Sequence, residues 1–137
     1  MTFVLDSSLT IAWFVPDEHS TPTQLLLARA ADSGAVVPDF WRMEIGNALI
    51  LATRRNRLTL QQRATALRHL ESLPIDVDSE TSTHAWGNTM QLAERFRLTL
   101  YDACYLELAQ RRNLPIATLD KQLRIAGREL ALPLLGV

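Results

Sequence analysis

The stretch LTLYDACYLELAQRRNLPIATLDKQL, residues 98–123, decides the fold. Residues 101–113 carry apolar side chains on nearly every side, so this helix belongs inside a packed structure and not on its surface. PIATLD follows as a buried strand that ends in Asp120, and the next residues, QLRIAGREL, read as a helix. Helix, strand, acid and helix in that order are one segment of a parallel α/β layer.

The same alternation extends upstream and downstream. Residues 3–5 (FVL) form a short strand ending in Asp6, and residues 7–15 a helix stopped by Pro16. An amphipathic helix, TPTQLLLARAADSG, closes at Gly34. AVVP is a second strand, and Asp39 is the expected N-cap of the helix FWRMEIGNALILATRRN. Thr59 and Gln62 fit a capping box opening LQQRATALRHLESL, which Pro74 ends. IDV is a third strand, a long helix is predicted from about Thr81 to Phe96, and PLLGV is a last strand. The expectation is one domain over residues 1–137: an α/β three-layer sandwich with a central, mostly parallel sheet of four to five short strands flanked by helices. No repeat, low-complexity tract or linker interrupts it.

Composition narrows the classes. Hydrophobic residues are 47% and charged residues 21%, the balance of a globular domain. No run approaches the roughly 20 apolar residues that span a bilayer. The N-terminus lacks a basic leader region and carries Asp6 within its apolar stretch, so it reads as a strand and helix and not as a signal peptide. A single cysteine, Cys104, excludes an internal disulfide, suits a reducing cytoplasm and has the apolar neighbours of an inert thiol. The net charge of −1 gives no overall basic field. All basic residues except Lys121 are arginine. The clusters Arg54, Arg55, Arg57 and Arg111, Arg112 read either as phosphate contacts or as solvated helix ends.

Four carboxylates, Asp6, Glu44, Asp102 and Asp120, stand where strands end or helices begin. In an open parallel sheet these positions gather at the carboxyl edge. Singly, each has a plain structural role: Asp6 and Asp120 as caps, Thr99-x-x-Asp102 as a capping box, Glu44 as an exposed neighbour of Arg42. Together they are like charges in one cleft, which repel unless cations or protons intervene. Ser8, two residues after Asp6, Thr118, two before Asp120, and Asn47, one turn beyond Glu44, are polar companions able to orient them. The pattern points to a divalent-metal site working on a phosphodiester.

These residues resemble a PIN domain, specifically the small VapC-type toxins of toxin–antitoxin pairs. VLDSSLTIAWFVPDE resembles the opening strand and helix with the first acid, Asp6, and the polar Ser8. VVPDFWRMEIGNAL resembles the second motif, with Glu44 and Asn47, and residues 98–123 resemble the third and fourth, with Asp102, Asp120 and Thr118. The resemblance implies a metal-dependent endoribonuclease in the cytoplasm, a homodimer held inactive by a small antitoxin, with the hairpin from about Phe40 to Leu73 as the clasp. Mg²⁺ or Mn²⁺ suits the oxygen-only donors. Asp6 and Asp120 are expected to hold the main ion, with Asp102 direct or through water; Glu44 would serve a second ion or orient water. His19, His69 and His84 lie away from the motifs, which disfavours zinc. Trp13, Trp41, Trp86, Phe14 and Phe40 are expected mainly in the core or at contacts, with Phe40 and Trp41 at a dimer face. Asp17 and Glu18 are read as loop or helix-start charges. A dehalogenase-type phosphatase needs a second Asp where Ser8 stands. A receiver domain needs paired acids after the first strand and a phospho-acceptor after a middle one, and Asp76 and Asp78 do not fall cleanly after an apolar run. A non-catalytic scaffold of the same fold and a DNA-directed nuclease remain the alternatives.

Overall fold

The computed structural model describes residues 2–137. In chain order the elements are β1 (Val4–Leu5), α1 (Ser7–Phe14), α2 (Thr21–Ser33), β2 (Ala35–Val37), α3 (Trp41–Arg54), α4 (Leu60–Ser72), β3 (Ile75–Val77), α5 (Asn88–Phe96), α6 (Leu100–Arg112), β4 (Ile116–Ala117), α7 (Lys121–Glu129) and β5 (Leu134–Leu135). Short 3-10 turns lie at Pro16–Glu18 and Ser82–His84. The strands pair in parallel in the order β3-β2-β1-β4-β5. Every residue of β1, β2 and β4 is buried, while β3 and β5 at the rims are partly open. Central strands buried on both sides need helices on both faces, which is the layered architecture the alternation predicts.

The strands are short, yet β1 is anchored on both sides. Val36 N–H donates to the Phe3 carbonyl (2.9 Å), Val4 N–H to that of Pro115 (2.8 Å), and Asp6 N–H to that of Ala117 (3.0 Å). The chain runs outward from β1 through β2 to β3, then returns to place β4 and β5 on the other side. That reversal opens a crevice at the carboxyl ends of β1 and β4. Among the described residues no helix is long and apolar enough to cross a membrane.

Helix ends follow the local signals in most places. Ser20 caps α2 through the Thr23 N–H (3.3 Å). Thr59 and Gln62 form the reciprocal box at α4, at 2.8 and 3.0 Å. Two expectations fail. Phe40, not Asp39, occupies the N-cap of α3, without a side-chain cap. Asp39 is engaged across the sheet rim instead: its N–H donates to Thr81 Oγ1 (3.1 Å) and its carboxylate accepts from Ser82 (3.3 Å). The long helix from Thr81 to Phe96 is also broken. Its first part is the 3-10 turn, and α5 starts only at Asn88, because Gly87 adopts φ −105°, ψ −113°, well outside helical geometry.

The α6 helix is the spine of the molecule. Ala103 through Ala109 are all buried, including Glu107. Its C-terminal end is clamped to the rim beyond β3. Arg111 makes a two-pronged contact with the buried Asp78 (3.1 and 2.6 Å) and reaches Glu107 (2.7 Å). Arg112 bridges Asp76 (2.9 Å) and Asp78 (3.1 Å). This arginine pair therefore has a structural role, tying α6 to the rim beyond β3.

Candidate active site

Asp6 is the first residue beyond β1 and stands at the N-cap of α1, yet its carboxylate makes no capping bond. It is held sideways. Ser8 Oγ donates to Oδ2 at 2.6 Å and Thr118 Oγ1 to the same oxygen at 2.7 Å. Each hydroxyl has one proton, so with both aimed at Asp6 the 3.3 Å approach between them is a contact and not a third bond. Ser8 reaches Asp6 because α1 starts at Ser7 and turns the side chain back, not through the pleat of a strand. Thr118 reaches it across the sheet, since Leu5 pairs with Ala117 and the next residues face each other. Thr118 also accepts the Asp120 N–H (3.0 Å), and Ser8 the Leu119 N–H (3.0 Å). Two hydroxyls thus tie the ends of β1 and β4 into one edge. Among the described residues nothing donates to Oδ1 of Asp6, which is left for a ligand.

Asp120 caps α7 through Oδ1, accepting from the Leu123 N–H (3.0 Å). Capping and site lining coincide here, because Asp120 also faces the crevice. Asp102 lies in the first turn of α6, where its N–H donates to Thr99 Oγ1 (3.1 Å). Asp6, Asp102 and Asp120 line one open cleft of about 410 Å³ with Ser7, Ser8, Ile11, Glu18, Ala48 and Leu119. Glu44 stands beside it on α3, half-buried, in an adjoining depression formed with Phe40, Met43 and Tyr101. The Tyr105 hydroxyl donates to its carboxylate. Arg42 pairs instead with Glu71 (3.6 Å). Asn47 is exposed, bonds to none of the acids and lies outside the cleft lining. The residue one helical step further, Ala48, lines the cleft in its place.

Charge links the four acids. Burial pushes Asp6 up to about 6, against the pull of Ser8 and Thr118, and the charges of Asp102 and Glu44 push it further. Asp102 is raised too, first by burial and then by Asp120 and Glu44. Burial first, and the neighbouring carboxylates second, make Asp6 and Asp102 resist ionisation.

Among the described residues no three His, Cys, Asp or Glu side chains come together into a group that could hold a metal ion. The donor set still fits a hard divalent ion. It is all oxygen, it includes an unpartnered carboxylate oxygen on a fixed Asp6, and its repulsion falls when a cation enters. Mg²⁺ keeps several waters and needs only one or two direct carboxylates.

Three participants escape a sequence reading. Tyr105 looks like one more apolar member of α6. Glu18 looks like a loop charge, yet it joins the cleft lining. Arg57 lies 39 residues along the chain from Glu18 and bonds to it. Only the fold brings these positions together; the apolar surroundings of Tyr105 were the one available signal, since a buried phenol needs an acceptor.

A parallel α/β domain with an acidic cleft where its strand order reverses places its acids where open sheets hold ligands. The PIN domain family model matches residues 3–129, and the chain belongs to that family. It is 27% identical over 123 residues to Ribonuclease VapC3 of Pyrobaculum aerophilum, covering 90% of this chain and 92% of that protein. The crystal structure of PAE2754 from Pyrobaculum aerophilum superposes with a TM-score of 0.62 at 23% identity, over 92% of this chain and 87% of that one, which establishes the shared fold.

Proposed function

We propose that this chain is a Mg²⁺- or Mn²⁺-dependent endoribonuclease, the toxin of a toxin–antitoxin pair, acting in the cytoplasm as a homodimer. The observation that carries the reading is the convergence of Asp6, Asp102 and Asp120 on one open cleft at the carboxyl edge, with Glu44 beside it. The likeness to a protein named a ribonuclease supports RNA as the substrate.

Asp6 and Asp120 would hold the main ion, with Asp102 contributing directly or through water. When bound, the ion supplies Lewis acidity toward a phosphate oxygen and toward water. Ser8 and Thr118 fix the rotamer of Asp6, so its free oxygen is preorganised. Glu44, oriented by Tyr105, accepts a proton or holds water on the side facing the substrate. The open cleft admits a polymer passing through and does not enclose a small ligand. Antitoxin docking is supported by a small cavity between α3 and α4, lined by Trp41, Ile45, Leu67 and Leu70 with Arg42 and Glu71. Trp41 is buried within its own chain.

Asp6→Asn decides the matter. Cleavage of RNA in Mg²⁺ or Mn²⁺ should fall at least about 10²-fold, a loss of about 3 kcal/mol in barrier terms, while circular dichroism shows an intact fold. The melting-temperature rise that millimolar Mn²⁺ gives the parent should shrink in the variant. Full cleavage by Asp6→Asn would remove the site assignment.

A further inference from the structure

The proposed reaction poses a charge problem. The cleft that must admit a polyanion is lined by Asp6, Asp102, Asp120 and a further carboxylate, Glu18. A divalent ion offsets part of this charge but leaves the rim negative. One guanidinium reaches that rim: Arg57 Nη2 donates to Glu18 Oε2 (2.5 Å) and to Asp17 Oδ1 (3.2 Å).

The backbone fixes where Arg57 stands. The turn after α3 is closed by Asn56 in the left-handed region (φ 58°) and by the Arg57 N–H donating to the Ala52 carbonyl (2.9 Å). From this fixed root the side chain crosses to the turn that follows α1. Its side chain is 36% exposed. Both bonds come from Nη2, so among the described residues Nε and Nη1 remain without a partner. The other strongly placed arginines are engaged elsewhere. Arg111 and Arg112 are tied to Asp76, Asp78 and Glu107. Arg124 is bound to the Thr118 and Leu135 carbonyls (2.8 and 3.0 Å).

We infer that Arg57 is the subsite for a backbone phosphate of the RNA next to the scissile one, and that Asp17 and Glu18 are positioning residues that hold it at the rim. This rests on the ribonuclease reading above. A solvent-exposed ion pair is weak, so sharing the guanidinium with a phosphate, or releasing it, is easy. Two parallel N–H donors suit a phosphate better than the single nitrogen now shared between two carboxylates. The arrangement keeps a long cation beside Glu18, which lines the cleft, in the free protein.

The test uses the Asp6→Asn chain, in which cleavage is expected to be suppressed. Binding of a labelled mixed-sequence single-stranded RNA is followed by anisotropy across a salt series. Adding Arg57→Gln should weaken binding about five- to tenfold and make the salt slope shallower by about 0.7, the value for one lost phosphate contact on a single strand. Arg57→Lys should restore the slope but not the full affinity, because an ammonium is a point charge. Arg68→Gln, the same charge change on the exposed face of α4, should leave both unchanged. If Arg57→Gln lowers the melting temperature but keeps affinity and slope, the arginine merely fastens one turn to another and the inference fails alone. If the parent neither binds nor cuts RNA, the ribonuclease reading fails and this one goes with it.

Discussion

Asp6 shows how one carboxylate escapes the routine use of its position. An acid at a helix N-cap ordinarily accepts the backbone N–H groups behind it. Here Ser8 and Thr118 rotate it away from them, and burial with neighbouring charge raises it to about 6. Tyr105 does comparable work on Glu44. Burial first, then the charges of Asp6 and Glu44, push the phenol far above its ordinary range, so it remains a donor at every working pH. Tyr105→Phe should therefore leave the fold intact, lower stability by about 1 kcal/mol for one lost hydrogen bond, and reduce kcat about tenfold with KM little changed. A matching rise in KM would mean that Glu44 contacts substrate in the ground state and is not merely oriented by Tyr105. Cys104 takes no part: burial pushes its thiol up to about 12, so it stays inert.

At the scale of elements, the junction between α2 and β2 is the least forgiving point. Gly34 has φ 77° and ψ 176°, a region almost confined to glycine. A methyl group there would also come within 2.7 Å of the Pro74 carbonyl oxygen, which is backbone and cannot move aside. Gly34→Ala should destabilise the domain by about 2–4 kcal/mol, read as a lower urea midpoint with an unchanged slope. A loss under half of that would mean that β2 and β3 shift apart easily. Such ease would sit badly with the Ala35–Ile75 pairing directly beside it. The capping box at α4 was legible from Thr59 and Gln62 because such a box needs only residues three apart. Asp39 was misread because its partners, Thr81 and Ser82, lie some forty positions away.

For the whole molecule, the ion network at the far end of α6 governs acid stability. Burial alone would raise Asp78, but the hydrogen bonds and charges of Arg111 and Arg112 outweigh it and hold the carboxyl at about 2. A carboxylate depressed in the folded state stabilises above its unfolded pKa, about 3.9, and that contribution disappears as pH falls toward 2. It amounts to roughly 2 kcal/mol. Urea titrations of the metal-free chain between pH 5 and pH 2 should show this loss in the parent and not in Asp78→Asn. The variant should start lower by about 3 kcal/mol, because two guanidinium groups lose a buried partner. Equal acid sensitivity in both chains would place the titrating group elsewhere. The network also serves the site at a distance. The same rigid helix that it clamps carries Tyr105 at its centre and Asp102 in its first turn.

Sequence alone determined the alternation of strands and helices, the central place of residues 101–113, and the four acids at element boundaries. Each of these depends on periodicity or on neighbours within one turn, which a linear reading contains. Tertiary structure alone decided that Ser8 and Thr118 share one oxygen of Asp6, that Asn47 faces away while Ala48 lines the cleft, and that Glu18 joins the acids. It also divided the arginines, fastening Arg111 and Arg112 into a buried clamp and leaving Arg57 at the rim. The reason is geometric. Which side chains meet across a parallel sheet depends on strand order and register, and these are fixed by burying the whole core at once, not by any local run of residues.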